Sequence, residues 1–146
     1  SRMSTIMEVL NRKGSSVLTV PGSTSVLDAI GKMSEANIGA IVIQDGGQPA
    51  GIFTERDYLR KISLEGRSSS DTPVSAVMSS PLITAPPEES TRTAMETMTE
   101  RRCRHLVIVD DGRMVGLVSL GDLVKHLLVE AEAEVEQLSG YIAGSY

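Results

Sequence analysis

The feature that most limits what this chain can fold into is an internal repeat. Gly51-Ile52-Phe53-Thr54-Glu55-Arg56-Asp57 returns sixty-five residues later as Gly116-Leu117-Val118-Ser119-Leu120-Gly121-Asp122. Glycine, hydroxyl and aspartate keep one spacing, and the second residue stays aliphatic. At this offset the halves align without a gap from Thr19 to Ile62. Thr19/Thr84, Pro21/Pro86, Ala29/Ala94, Met33/Met98, Val42/Val107, Asp45/Asp110, Gly47/Gly112, Gly51/Gly116 and Asp57/Asp122 are identical pairs. A unit this short buries too little apolar surface alone, so two copies are expected to pack as one pseudo-twofold module.

Each unit reads strand–helix–strand–strand–helix. In the first, Val17 to Val20 is a short strand stopped by Pro21, which has no ladder donor. Ser25 is an N-cap for a helix carrying Val26, Ala29, Ile30 and Met33. Gly39 to Ile43 is an unbroken aliphatic run, the pattern of a buried strand. Asp45-Gly46-Gly47 is hairpin chemistry leading into a strand through Ala50 to Phe53. Thr54 or Glu55 then opens a helix with Tyr58, Leu59 and Ile62. Ahead of the repeat, Thr5 to Leu10 reads as a short helix, which Val74 to Met78 resembles ahead of the second. The polar run Glu65 to Pro73 reads as the linker. The expected organisation is residues 5–64 as repeat one with the N-terminal helix, 65–73 as linker, 74–128 as repeat two and 129–146 as a helical extension. The fold class is mixed α/β (α+β), a tandem β-α-β-β-α repeat.

The extension departs from the repeat. Val124, Leu128, Ala131, Val135, Leu138 and Ile142 recur in steps of four and three, a coiled-coil-like seam flanked by glutamates. Such a stripe needs a partner surface, and a second copy of the chain is the economical one.

Composition excludes several function classes. Aromatic residues make up 3% of the 146, with no Trp, which argues against a stacking platform for single strands. A formal charge of −5 argues against general binding to phosphate backbones. One cysteine, Cys103, excludes an internal disulfide framework and a cysteine-built zinc site. No apolar run approaches the ~18 residues of a membrane span, and no secretory signal is readable. The expectation is a soluble intracellular, cytoplasmic protein, or one of a mitochondrial or plastid matrix if a transit peptide has been removed.

The repeated motif supports two readings. A carboxylate facing a cleft can accept two hydrogen bonds from vicinal hydroxyls such as a ribose diol. Free amides at the strand–helix junction suit an anion, and glycine at Gly51 and Gly116 permits close approach. The alternative is a plain helix cap, with Thr54 or Ser119 at the N-cap and the aspartate in the first turn. A second signal is asymmetric. Arg101-Arg102-Cys103-Arg104-His105 precedes the strand of repeat two, where repeat one has Ala36-Asn37-Ile38-Gly39-Ala40. Basic groups at a strand mouth suit phosphate, although cations also suit a helix C-terminus.

Taken together, the paired motifs resemble the nucleotide-binding signature of CBS domains, two of which in tandem form a Bateman module. The resemblance runs from about Ile6 to Lys125. T-E-R-D-Y-L-R-K, G-R-S-S, R-C-R-H and the terminal Y-I-A-G-S-Y resemble stand-alone CBS-pair proteins of proteobacteria and plant organelles. The resemblance implies binding of an adenosine ligand: AMP, ADP, ATP, NAD(H) or S-adenosylmethionine. It places ribose contacts on Asp57 and Asp122 with Thr54 and Ser119, and phosphate contacts on Arg104 and His105. Base contacts fall on Val17 to Thr19 and on Leu82, Ile83 and Thr84. Val42 and Val107 depart from the family's frequent second-strand proline. Because Gly39 and Ala40 bring no basic group, the two clefts are expected to differ, with Arg56 as a source of charge for one of them.

The leading expectation is a non-catalytic adenine-nucleotide sensor, a homodimer that modulates a protein partner. The alternative is a constitutive interaction module with vestigial clefts, for which the plant relatives suggest thioredoxin-system partners. Catalysis is not expected: Thr54 and Ser119 have no readable His–Asp partnership, and Cys103 beside His105 permits contact without implying activation.

Overall fold

The structure, a computed structural model, describes residues 3–144, with side chains as far as Gly140. Ser1, Arg2, the final Ser145-Tyr146 of the terminal motif and the side chain of the seam residue Ile142 lie outside the described residues. By packing, the chain divides into two units. One is Ser16–Thr84, and the other joins the segment up to Ser15 to the chain from Ala85 onward.

The first unit holds β1 (Thr19–Pro21), α2 (Val26–Ala36), β2 (Ala40–Asp45), β3 (Gln48–Thr54) and α3 (Glu55–Asp57). Its sheet order is β1-β2-β3, with β1 parallel to β2 and β2 antiparallel to β3. Pro21 is the last residue of an edge strand, where its missing N–H does no harm. The hairpin turns on Gly46 and Gly47 at φ 60° and 77°, the two positive values of a two-residue primed turn. The Ser25 hydroxyl accepts the Asp28 amide at 3.0 Å, and α2 turns Val26, Ala29 and Met33 inward. These pack with Val20, Ile41, Ile43, Phe53 and Ile62 into an aliphatic core around the one phenylalanine.

The second unit repeats this with β4 (Thr84–Ala85), α4 (Thr91–Arg101), β5 (His105–Asp110), β6 (Arg113–Ser119) and α5 (Leu120–Gly144), sheet order β4-β5-β6. The agreement extends to irregularities. Both hairpins shift register after the same position, Ile43 and Ile108. Both helices following the first strand end in a left-handed residue, Asn37 and Arg102.

Three features refine or change the expectations. In sequence order the N-terminal helix α1 (Ile6–Lys13) opens repeat one, yet by packing it belongs with the second unit. It runs three residues beyond the predicted Leu10 and ends at Gly14 with φ 97°. Second, the 65–73 linker is itself packed into the first unit. Thr72 is buried, and the carbonyls of Thr72 and Ser69 each accept an amide from the first turn of α2 (Val26 and Leu27, both 2.9 Å). A helix cannot satisfy those amides itself. In the second unit Ser4 does the same for Thr91 at 2.9 Å. Third, Val74–Ala76 is a single tight 3-10 turn rather than a copy of α1, and the helix after Thr54 continues past Asp57 as π-helix over Tyr58–Ser63. Ile62 is buried there as expected, while Leu59 is 59% exposed.

These leading segments explain the repeated glycines. A Cβ on Gly51 would lie 2.5 Å from the Met78 sulfur, and one on Gly116 would lie 2.6 Å from Leu10 Cδ2. What approaches each glycine closely is the segment that precedes the other repeat in the chain.

Candidate functional site

Both motifs form reciprocal caps. In the first unit the Asp57 amide donates to Thr54 Oγ1 at 3.1 Å, and the Thr54 amide donates to Asp57 Oδ2 at 3.0 Å. In the second the Asp122 amide donates to Ser119 Oγ at 3.0 Å, and the Ser119 amide to Asp122 Oδ2 at 2.8 Å. Each junction thus satisfies two amides that the helix leaves over. The plain-cap reading of the motif is realised in both copies.

The aspartates differ in what else they meet. Asp57 is 7% exposed, and both its oxygens are taken. Thr54 Oγ1 also reaches Oδ2 at 3.2 Å, while Oδ1 receives Ser79 Oγ at 2.9 Å and the Lys61 ammonium at 3.0 Å. Lys61 is anchored further on the Val77 carbonyl at 3.0 Å. Asp122 has a 26% exposed side chain. The Ser119 amide and the Lys13 ammonium, the latter at 2.6 Å, both fall on Oδ2. Oδ1 has no hydrogen bond among the described residues. Burial pushes the Asp122 carboxyl up, but the Lys13 ammonium with the Ser119 amide and hydroxyl outweighs it, so the group titrates below its ordinary range.

Strand pairing brings the remaining candidates to these junctions. Ala40 lies opposite Thr54, and the Gly39 carbonyl accepts the Glu55 amide at 3.1 Å. His105 lies opposite Ser119, and the Arg104 carbonyl accepts the Leu120 amide at 2.9 Å. The basic pair Arg104-His105 therefore borders the Asp122 junction. At the corresponding place in the first unit, Glu55 folds over Gly39, where a Cβ would meet its Oε1 at 2.6 Å. That junction carries an acid where the other carries Arg104. Arg56 is exposed on the first turn of α3. Thr19 is held to the sheet opposite Val42, with Val17 just before the strand. Ile83 is half-buried and Thr84 exposed at the start of β4, the neighbour of β5.

Sequence reasoning missed the cations on the aspartates. Lys61 stands four residues after Asp57 and was readable from helix spacing. Lys13 and Ser79 were not, because only tertiary packing brings them to their partners. The Cys103 thiol is pushed up by burial more than the His105 backbone and the Arg101 charge bring it down, which leaves it a weak nucleophile.

The CBS-domain model matches residues 6–64 and again residues 74–129. This chain belongs to the CBS-domain family. As a CBS pair it is 41% identical over 151 residues to the mitochondrial CBS domain-containing protein CBSX3 of Arabidopsis thaliana, covering 97% of this chain and 73% of that one. It is 36% identical over 129 residues to the CBS domain-containing protein YhcV of Bacillus subtilis, covering 88% and 84%. A solved structure of a protein with CBS domains from Burkholderia ambifaria superposes with a TM-score of 0.84 at 43% identity, covering 86% of this chain and 95% of that one. Among the described residues no helix is long and apolar enough to cross a membrane.

Proposed function

We propose that this CBS pair is a non-catalytic sensor of an adenine nucleotide (AMP, ADP or ATP, with NAD(H) or S-adenosylmethionine as further candidates), and that the Asp122 junction is its working half. The observation that carries the reading is the difference between the two aspartates. Asp122 keeps one carboxylate oxygen without a hydrogen bond, sits at a partly exposed junction and borders Arg104 and His105. A ribose diol needs such an acceptor, and phosphate needs the adjoining positive charge. Asp57, with both oxygens engaged and Glu55 in place of a basic group, supports a second reading for its own half: a structural cap that gives the interaction module rigidity without holding ligand.

Calorimetry with AMP, ATP and NADH tests this. Micromolar binding of about one ligand per chain is expected, abolished in Asp122→Asn and nearly unchanged in Asp57→Asn. Silence with all three ligands would leave the constitutive module as the better account. Loss in Asp57→Asn alone would reverse the assignment of the halves.

The sensor would act as a homodimer on a protein partner. In α5 the side chains of Val124, Leu128, Val135 and Leu138 are 41%, 59%, 62% and 63% exposed, an apolar stripe that a second copy would cover. A groove of about 740 Å³ between α4 and α5, lined among others by Met95, Leu127 and Ala131, continues that face.

A further inference from the structure

The second unit has a cluster that the nucleotide reading does not use. His126 stands four residues after Asp122, where repeat one has Lys61 four residues after Asp57. Lys61 serves as the counter-ion of Asp57. In the second unit that task has passed to Lys13 of α1, which leaves His126 with another role. Its ring is 3% exposed. The Nε–H of Arg12 donates to Nδ1 at 3.1 Å, so the neutral ring carries its proton on Nε2. That Nε2 has no hydrogen-bond partner although it is buried, a condition that costs free energy. Glu130 Oε1 lies 3.4 Å from it, and a ligand atom of Glu8 completes a group whose atoms all lie within 4.8 Å of one another.

From this geometry we infer a binding site for one divalent first-row transition ion, Zn²⁺ or a close relative, formed by His126 Nε2 with the carboxylates of Glu8 and Glu130. One imidazole and two carboxylates are a ligand set that zinc accepts, with a fourth place for water. A separation of 3.4 Å makes a poor hydrogen bond, but it is about the edge of a tetrahedron of ~2.0–2.1 Å metal–ligand bonds. The Thr5 amide donates to Glu8 Oε2 at 2.8 Å, and a carboxylate with about four lone-pair sites can take that bond and an ion. Loading moves the ring proton from Nε2 to Nδ1, so the imidazole stays neutral and Arg12 must release it. Arg12 is exposed and has room to turn outward. The ion would join α1 to α5, across a contact that the second unit already makes.

The test is calorimetry of untagged, chelator-treated protein with ZnCl₂, paired with the ligand-field spectrum of Co²⁺. About one ion per chain is expected. Glu8→Gln and Glu130→Gln, both partly exposed and close to isosteric, are expected to weaken binding about tenfold or more each. Arg12→Met is expected to tighten it, because Nδ1 loses its competing donor. Cys103→Ser is expected to change nothing. The inference is overturned if wild type binds neither ion, if the two Gln variants bind as wild type does, if Arg12→Met binds no more tightly, or if Cys103→Ser abolishes binding.

Discussion

Asp57 and Asp122 hold one position in two copies of one motif, yet their environments separate them. The Asp122 carboxyl titrates below its ordinary range because Lys13 and Ser119 outweigh the effect of burial. A carboxyl depressed on folding contributes stability that is complete above its unfolded-state pKa, about 4. That contribution is lost as pH falls through the lower folded value. Denaturant midpoints measured between about pH 6 and pH 3 should therefore fall more steeply for wild type than for Lys13→Met. Equal slopes would show that the lysine is not responsible. Gly51 and Gly116 are the other residue-scale case, since each accepts a side chain where a Cβ would stand. Gly116→Ala should destabilise the protein by about 1–3 kcal/mol through overpacking. Adding Leu10→Ala should recover part of that loss, giving a favourable coupling in a double-mutant cycle. The need for glycine was legible in the repeat itself. The side chain that imposes it was not, because Leu10 is more than a hundred residues from Gly116.

At the scale of elements, caps and turns were the most legible features, since their chemistry is local. Ser25 caps α2, and the Gly46-Gly47 pair turns its hairpin. Ser25→Ala should cost about 1 kcal/mol in a denaturation curve, the usual loss for an N-cap hydroxyl. The membership of α1 was not legible, because an amphipathic helix shows that it has an apolar face and not which surface receives it. Its packing with the second unit makes a prediction of location. Removing residues 1–14 exposes Gly116 and takes away Lys13, so hydrogen exchange should quicken in β5 and β6. The strands β2 and β3 should keep their protection. Equal loss in both sheets would contradict this division. The π-helical stretch after Asp57 also escaped the sequence, because π and α segments share one broad hydrophobic pattern.

For the whole molecule, the exposed stripe of α5 predicts self-association. Leu128→Glu with Leu138→Glu should halve the mass seen by analytical ultracentrifugation without changing the far-UV dichroism, and a wild type already monomeric would dismiss the idea. The repeat, its strand and helix order and the hydroxyl–carboxylate pairing at the two junctions were legible in the sequence, which left a cap and a ligand grip both open as readings of that pairing. They depend on hydrophobic period, turn residues and hydroxyl–carboxylate spacing, which act within a few positions and recur at a fixed offset. Only the tertiary structure decided how the two junctions differ. Lys61 and Ser79 close over Asp57, Lys13 leaves one oxygen of Asp122 without a bond, and Arg12, Glu8 and Glu130 gather around His126. Polar groups separated by up to 114 residues in the chain interact only once packing has brought them within a few ångströms. No local pattern in the sequence records that approach.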